Sequence, residues 1–501
     1  MADFSSSRAQ IYSPDAVTVF SFVWAAQALA HLAFFDHWIN GVNPLAWILL
    51  VLGIAVFLFP GRLRLFMAMM VAYMAYFISE LPFVSNHILV SMFMGLAILG
   101  AAASVCKTRC FTLAPVSEEE RSEIFARFAP VLGATFAFMY YSIIVSKFNE
   151  AFFDFEISCM TMMYSTFAVN NPLGAIVAQY FDTGFLFWLF IVIEIALPVL
   201  LTFRRTRLLA VYIGLPFHVL LGFMGHWSYS STVIALYAVI AMPAFLELIR
   251  KIVQWLGPGR TAAILWVFRG YVAIVLLVVA SSALTGTYGK QAPFGWTFNF
   301  AAIQWLIWAA VLSAGILLAA LRSHALNGPF NATGTTLFWA WRPGWLWLAF
   351  LLAVLNSSSP YIGFKTETSV AMYSNLRTEG GMNNHFFMPT LRLFNFPDDL
   401  VEVVDSNDPA IKALRSTYAL YDPYKNQHDI FITAFELRRA IGGVKSPGLE
   451  ITYLRNGEVR QFKRGAASNP DPDLDQPPPW WLAKIAYFRP VFKGDKAYCL
   501  H

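Results

Sequence analysis

Eleven apolar runs, each near the length of a membrane-spanning helix, occupy residues 16–35, 44–60, 63–79, 86–105, 129–147, 184–203, 208–225, 231–249, 262–284, 303–321 and 337–356. A bilayer core needs roughly 20 mainly apolar residues per helix. Within lipid each backbone polar group must be satisfied inside its own segment, so such runs fold as helices. The runs at 44–60 and 63–79 are short, and the last is Trp-rich and suits an interfacial position as well as a span. The count is therefore about eleven. Composition agrees, since 13% of the chain is charged and 58% hydrophobic, whereas soluble domains carry about 25% charge. The expected fold is an all-α polytopic membrane bundle with a small α+β C-terminal domain. Its divisions are a bundle over 1–285, additional transmembrane helices over 286–356 and a polar tail over 357–501.

The N-terminal "MADFSSSRAQIYSPDA" lacks the basic-then-apolar order of a cleavable signal, so the first run reads as a retained helix. Orientation follows from Lys and Arg in the short loops. Arg62 and Arg64 lie between the second and third runs, and Lys107, Arg109, Arg121 and Arg127 follow the fourth. Arg204, Arg205 and Arg207 follow the sixth, Arg250, Lys251 and Arg260 the eighth, and Arg322 the tenth. The alternate loops hold only Lys147 and Lys290. This predicts a multi-pass protein with a cytoplasmic N-terminus and, for an odd helix count, a C-terminal domain on the non-cytoplasmic side.

That topology sorts the polar residues by depth. Asn86 and His87 open the fourth run at about the depth of Lys147, Glu194 lies near the midplane of the sixth, and His218 and His226 sit at mid-depth and outer end of the seventh. His31 and His37 lie toward the outer end of the first. Ionisable groups inside a bilayer are costly and mark function. Each histidine alone also reads as a satisfied structural hydrogen bond; as a set they predict a shared cavity in the outer half. Lys147, in "YYSIIVSKFNEAFFD" (Tyr140–Asp154), has two readings. One is a snorkelling anchor whose ammonium reaches the headgroups. The other is a desolvated amine used as a base, because an amine in low dielectric binds its proton less tightly.

"PVLGATFAFMYYSIIVSKFNEAFFD", "SNHILVSMFMGLAIL" and "GFLFWLFIVIEIALPVLLTFRRTRLLAVYIGLPFHVLLGFMGHWSYSS" together resemble the vitamin K-dependent γ-glutamyl carboxylase family and, more broadly, the horizontally transferred transmembrane (HTTM) domain. The resemblance covers about residues 10–250. It implies that Lys147 deprotonates a reduced naphthoquinone, with Asn86 and His87 on its ring oxygens and His218 lining the site. Glu194, His226 and Asn149 join as candidate quinone-binding residues. The implied cofactor is reduced vitamin K or a related quinol, with O2 and CO2 as co-substrates. The implied partners are membrane lipid and a Glu-containing protein or peptide. Such chemistry needs a water-excluded site.

Other classes fall away. There is no GxGxxG turn or P-loop, and no basic block of the kind that binds nucleic acid. The four cysteines, Cys106, Cys110, Cys159 and Cys499, make neither a zinc site nor a disulfide framework. A proton- or solute-coupled carrier stays open, since buried Glu, His and Lys also build relays. So does a non-catalytic assembly or maturation factor. In the tail, Asn375, Arg377, Glu379, Gly380, Gly381, Asn384 and His385 form a polar cluster that either caps a site or makes a structural turn. "LEITYLRNGEVRQF" reads as a type I′ hairpin around Asn456-Gly457.

Overall fold

A computed structural model of the chain describes residues 14–35, 43–107, 109, 116–284, 300–328, 335–336, 343–419, 426–466, 468–494 and 496–500. His37, Cys110, Lys290 and the start of the last apolar run, 337–342, lie outside the described residues. The longer helices are α1 (Ala16–Phe35), α2 (Pro44–Leu58), α3 (Leu63–Glu80), α4 (Asn86–Cys106), α5 (Glu118–Ser146), α6 (Cys159–Asn170) and α7 (Pro172–Tyr180). They continue as α8 (Thr183–Thr202), α9 (Arg207–Leu221), α10 (Trp227–Ile240), α11 (Met242–Leu284), α12 (Phe300–Asn327), α13 (Leu348–Ile362) and α14 (Ala434–Gly443).

Among the described residues, eight helical stretches are long and apolar enough to cross a membrane, against the eleven runs read from sequence. The differences have local causes. The run at 44–60 folds as α2, only 15 residues long. The runs at 208–225 and 231–249 join into one helical stretch, Arg204–Ile240, broken by Gly225 at φ 105°. The run at 262–284 is the second half of α11, which breaks at Gly257 (φ 69°). The last run shifts C-terminally, to Gly344–Ile362. Helix starts follow ordinary capping chemistry. Asn43 accepts from the Leu45 amide ahead of Pro44. At α5, Ser117 Oγ accepts from the Glu120 amide (3.1 Å) while Glu120 Oε2 accepts from the Ser117 amide (2.9 Å), a capping box.

The chain divides into two compact units, Met1–Ser79 with His87–Tyr140 and Val192–Ala353, and Glu80–Asn86 with Tyr141–Ile191 and Val354–His501. The first is a helical bundle built around α10. All 14 residues of α10 are buried, and it packs against α1, α9 and α12. It carries no charged side chain, as suits a helix surrounded on every side. The bundle also buries Arg121 against Asp15 and Thr18, with guanidinium Nη2 donating to Thr18 Oγ1 at 2.7 Å.

The second unit carries an antiparallel sheet, with β1 (Leu400–Ser406), β2 (Ser416–Tyr418), β3 (Gln427–Thr433), β4 (Glu450–Arg455), β5 (Glu458–Lys463) and β6 (Val491–Phe492). The order is β2-β3-β1-β4-β5, with β6 also on β3. Val401, Val403, Ile430, Ile432, Ile451 and Tyr453 pack with Leu437 and Ile441 of α14. The expected hairpin is present: β4 and β5 pair from Glu450↔Lys463 to Arg455↔Glu458. Asn456 (φ 55°) and Gly457 (φ 79°) make the two-residue turn, which needs positive φ at both positions. One sequence reading is corrected. Cys159 and Cys499 form a disulfide across 340 residues, a separation at which no spacing motif signals a pair, while Cys106 is buried and free.

Candidate functional site

In the bundle unit, α10 presents hydroxyls and rings to histidines from three other helices. His31 of α1 bonds Tyr73 Oη through Nδ1 (2.9 Å) and Thr232 Oγ1 through Nε2 (2.8 Å). His87 of α4 lies with its ring 5.3 Å from that of His31 and bonds Ser228 Oγ at 3.0 Å. The Tyr229 ring is 5.6 Å from His87 and 5.6 Å from His218 of α9. The direction of the last link is settled by chemistry. A carbonyl only accepts, so His218 Nδ1–H donates to Gly214 O (2.7 Å), and Nε2 accepts from Tyr140 O–H (3.0 Å). The Tyr140 proton being so committed, Tyr237 O–H donates to Tyr140 Oη (3.3 Å). Three buried histidines thus lie in one polar line of hydroxyls and rings.

Gly214 holds the end of this line. A Cβ there would stand 1.7 Å from Tyr237 Oη. Gly214→Ala is expected to destabilise the protein by about 1–3 kcal/mol and to move Tyr237 off Tyr140. A thermal melt together with tyrosine ultraviolet resonance Raman checks both; a silent variant would mean the Tyr237 contact is dispensable.

In the second unit the lysine is not extended toward solvent. Lys147 is 6% exposed, and its Nζ stands 5.4 Å from the centroid of the Phe152 ring. The turn that carries it is held from both sides. Asn149, fully buried, accepts at Oδ1 from the Phe152 amide (2.9 Å) and Asn384 Nδ2 (3.3 Å). Its Nδ2 donates to Ser146 O (2.8 Å) and Ser374 O (2.5 Å). Both donors and both acceptor sites of the amide are occupied, so Asn149 positions the lysine turn and presents nothing to a ligand.

The tail cluster supplies the other half of that knot. Asn149 and His385 form an antiparallel bridge, flanked by Glu150 N–H to Asn384 O (3.2 Å) and Phe386 N–H to Phe148 O (3.0 Å). His385 Nε2–H donates to Val145 O (2.8 Å), while Nδ1 accepts from the Phe387 (3.2 Å) and Met388 (3.0 Å) amides. Burial lowers the His385 pKa, in keeping with this neutral tautomer. Asn375, at φ 52°, donates to Ile157 O (2.9 Å) and Ala497 O (2.8 Å) and accepts from the Cys159 amide (2.7 Å). It thereby ties both strands that the disulfide joins. Of the two sequence readings of this cluster, the structural turn describes Asn375, Asn384 and His385.

Glu379 and Arg489 form a buried pair at 2.8 Å, 1% and 7% exposed. Lys365, 5% exposed, donates to Thr368 Oγ1 at 2.8 Å. Burial pushes its amine down to about 7, against a smaller opposing pull from Glu367. Between that value and the ordinary lysine value, the unfolded chain holds a proton that the folded chain has released. Stability should therefore rise with pH from about 7 upward, with the burden of the buried charge fully present below it. Lys365→Met is expected to flatten this rise in thermal melts of detergent-solubilised protein; an unchanged slope would assign it to another group.

Of the residues read from sequence, His87, His218, His226 and Glu194 belong to the bundle unit, and Lys147, Asn149 and Asn86 to the other. Asn86 is the buried first residue of α4, His226 is buried at the Gly225 break, and Glu194 is half-buried on α8. Tyr73, Tyr140, Thr232, Tyr237, Lys365 and Arg489 were not singled out. Among them only Thr232 carried a signal, as the end of the hydroxyl-rich "SYSST" run, Ser228–Thr232, inside an otherwise apolar helix. Among the described residues, no three His, Cys, Asp or Glu side chains are grouped to hold a metal. No protein-family profile, curated protein or solved structure matches this chain.

Proposed function

We propose that this chain is an integral-membrane enzyme of the γ-glutamyl carboxylase type, with Lys147 as the base toward a reduced naphthoquinone. The observation that carries the reading is the burial of Lys147 over Phe152 in a turn clamped by Asn149 and His385. An anchor lysine extends its stem to water; this one is enclosed by protein. In enzymes of that type the reduced quinone supplies, with O2, a base strong enough to take a γ-proton from glutamate, whose carbanion then captures CO2. The residues here serve the first step. Lys147 Nζ is the atom that takes the quinol O–H proton, and the apolar wall of Phe152 excludes competing water. Quinol epoxidation by the purified protein, with and without a glutamyl peptide, tests this; no quinol consumption under either condition would sink it.

A second reading draws on a separate observation. The line from Tyr73 through His31, His87 and His218 to Tyr237 has the make-up of an intramembrane proton relay, as a proton-coupled carrier would use.

The disulfide bears on orientation. Disulfides persist in oxidising compartments, so Cys159–Cys499 supports a tail on the non-cytoplasmic side, with the N-terminus cytoplasmic. A reporter fused after His501 is expected to be active only if it works outside the cytoplasm. Activity of a cytoplasm-dependent reporter at that position would reverse the topology.

A further inference from the structure

Between the candidate spans ending at Ser146 and beginning at Thr183 lies α7, "PLGAIVAQY", whose one polar side chain is Gln179. Its apolar residues are not packed away. Leu173, Ile176 and Tyr180 are 37%, 52% and 76% exposed, and Val169 at the end of α6 is 71% exposed. The spacing 173, 176, 180 puts three of them in a stripe on one face of α7, with Val169 just before the extended Asn171 that separates α6 from α7. On α8, Phe185 and Trp188 are likewise exposed, at 50% and 52%, in a helix that is a candidate span. A patch of this size facing water would be anomalous. Because the chain leaves one span at Ser146 and enters the next at Thr183, α7 lies within reach of the bilayer.

Behind α7 is a cavity of about 670 Å³, within the range of roughly 300–1,000 Å³ of small-molecule sites. Val169, Ala178 and Phe181 line it as well as bordering the stripe. Phe155 and Tyr498 contribute rings to its lining, and Thr161 and Ser165 of α6 contribute hydroxyls. The acidic side chains on its wall are Glu156, paired with Lys496 at 2.6 Å, and Asp182, and no Lys or Arg lines the cavity, so an anionic headgroup meets no unpaired counter-charge among its lining residues. From Phe155 a row of rings leads to the lysine: Phe155 to Phe187 at 4.8 Å, Phe187 to Phe152 at 5.5 Å, and Phe152 beneath Lys147 Nζ at 5.4 Å.

We propose that α7 lies in the membrane interface and that this cavity binds a neutral, hydroxyl-bearing aromatic amphiphile drawn sideways from the leaflet. Resting on the Lys147 reading above, that ligand is the reduced quinone on its way to the base. Its apolar tail stays along the α7 stripe among lipid, while its ring stacks between Phe155 and Tyr498 and its hydroxyls meet Thr161 and Ser165.

The test uses the full chain in phosphatidylcholine vesicles, with bimane placed at Ile176→Cys on the stripe, Ser165→Cys in the cavity and Gln461→Cys on β5 as control. Brominated phosphatidylcholine is expected to quench Ile176 and leave Gln461 bright. An isoprenoid-tailed naphthoquinone is expected to quench Ser165 saturably, with half-saturation raised at least tenfold by Ala168→Trp; Ala168→Leu, a milder filling, guards against misfolding. Equal quenching at Ile176 and Gln461, shielding of Ile176 by a second copy of the chain, or unsaturable quenching at Ser165 would each overturn the proposal. Saturable binding without quinol turnover would keep this site and end the Lys147 chemistry. Turnover unaffected by either filling variant would do the reverse.

Discussion

Lys147→Arg is expected to lower quinol turnover by about 10²- to 10⁴-fold, the range for loss of a positioned general base, and as severely as Lys147→Ala. Both variants should insert and accumulate normally, because the turn is held by hydrogen bonds of Asn149, Asn384 and His385 that do not involve the lysine amine. The comparison is discriminating because arginine keeps the charge and the length but does not deprotonate in proteins. An anchor would tolerate it. Small exogenous amines should restore part of the Ala variant's turnover, and higher pH should restore more, since the quinol then ionises unaided. Epoxide formation, measured with and without a glutamyl peptide, reads all three. Full turnover in the Arg variant would reduce Lys147 to a structural cation.

Arg489→Met is expected to destabilise the second unit by about 3–5 kcal/mol, the usual consequence of stranding one member of a buried ion pair. Glu379 would keep the Thr378 amide on Oε2 (2.8 Å) but lose its counter-charge at 1% exposure, and the Leu376 carbonyl would lose the Arg489 Nη2 donor. The double variant Glu379→Leu/Arg489→Met removes the stranded charge and should regain much of the loss. Urea-dependent proteolysis, followed by tail fragments, measures the set. If the single variant melts like the parent, the pair is a bystander, and the polar cluster depends on Asn375 and Asn384 instead.

Much of the architecture was legible in the chain itself. Apolar runs near bilayer length announced a helical membrane protein, because backbone groups in lipid have no partner outside their own helix. The Asn456-Gly457 pair between alternating strands announced its hairpin, because few other pairs adopt positive φ twice in succession. The count of spans was less legible. Hydropathy does not register that two runs join across Gly225 into one helical stretch or that α2 stops after 15 residues.

The site divides along the same line. Sequence marked Lys147, His87 and His218 as unusual, since ionisable residues are rare among apolar neighbours at any fold. Their partners were beyond its reach. Asn149 meets Ser374 and Asn384, His31 meets Thr232, and Cys159 meets Cys499, each across 200 residues or more. Arg121 and Arg207 read as topology-setting loop charges, yet both are buried, one on Asp15 and the other on the Leu201 carbonyl. Local pattern records what a residue costs to bury, whereas the hydrogen bonds that offset that cost come from segments brought together only when helices pack. Composition and spacing thus determined that the chain enters a membrane with basic and acidic groups aboard; tertiary packing alone decided which of them are enclosed, and by what.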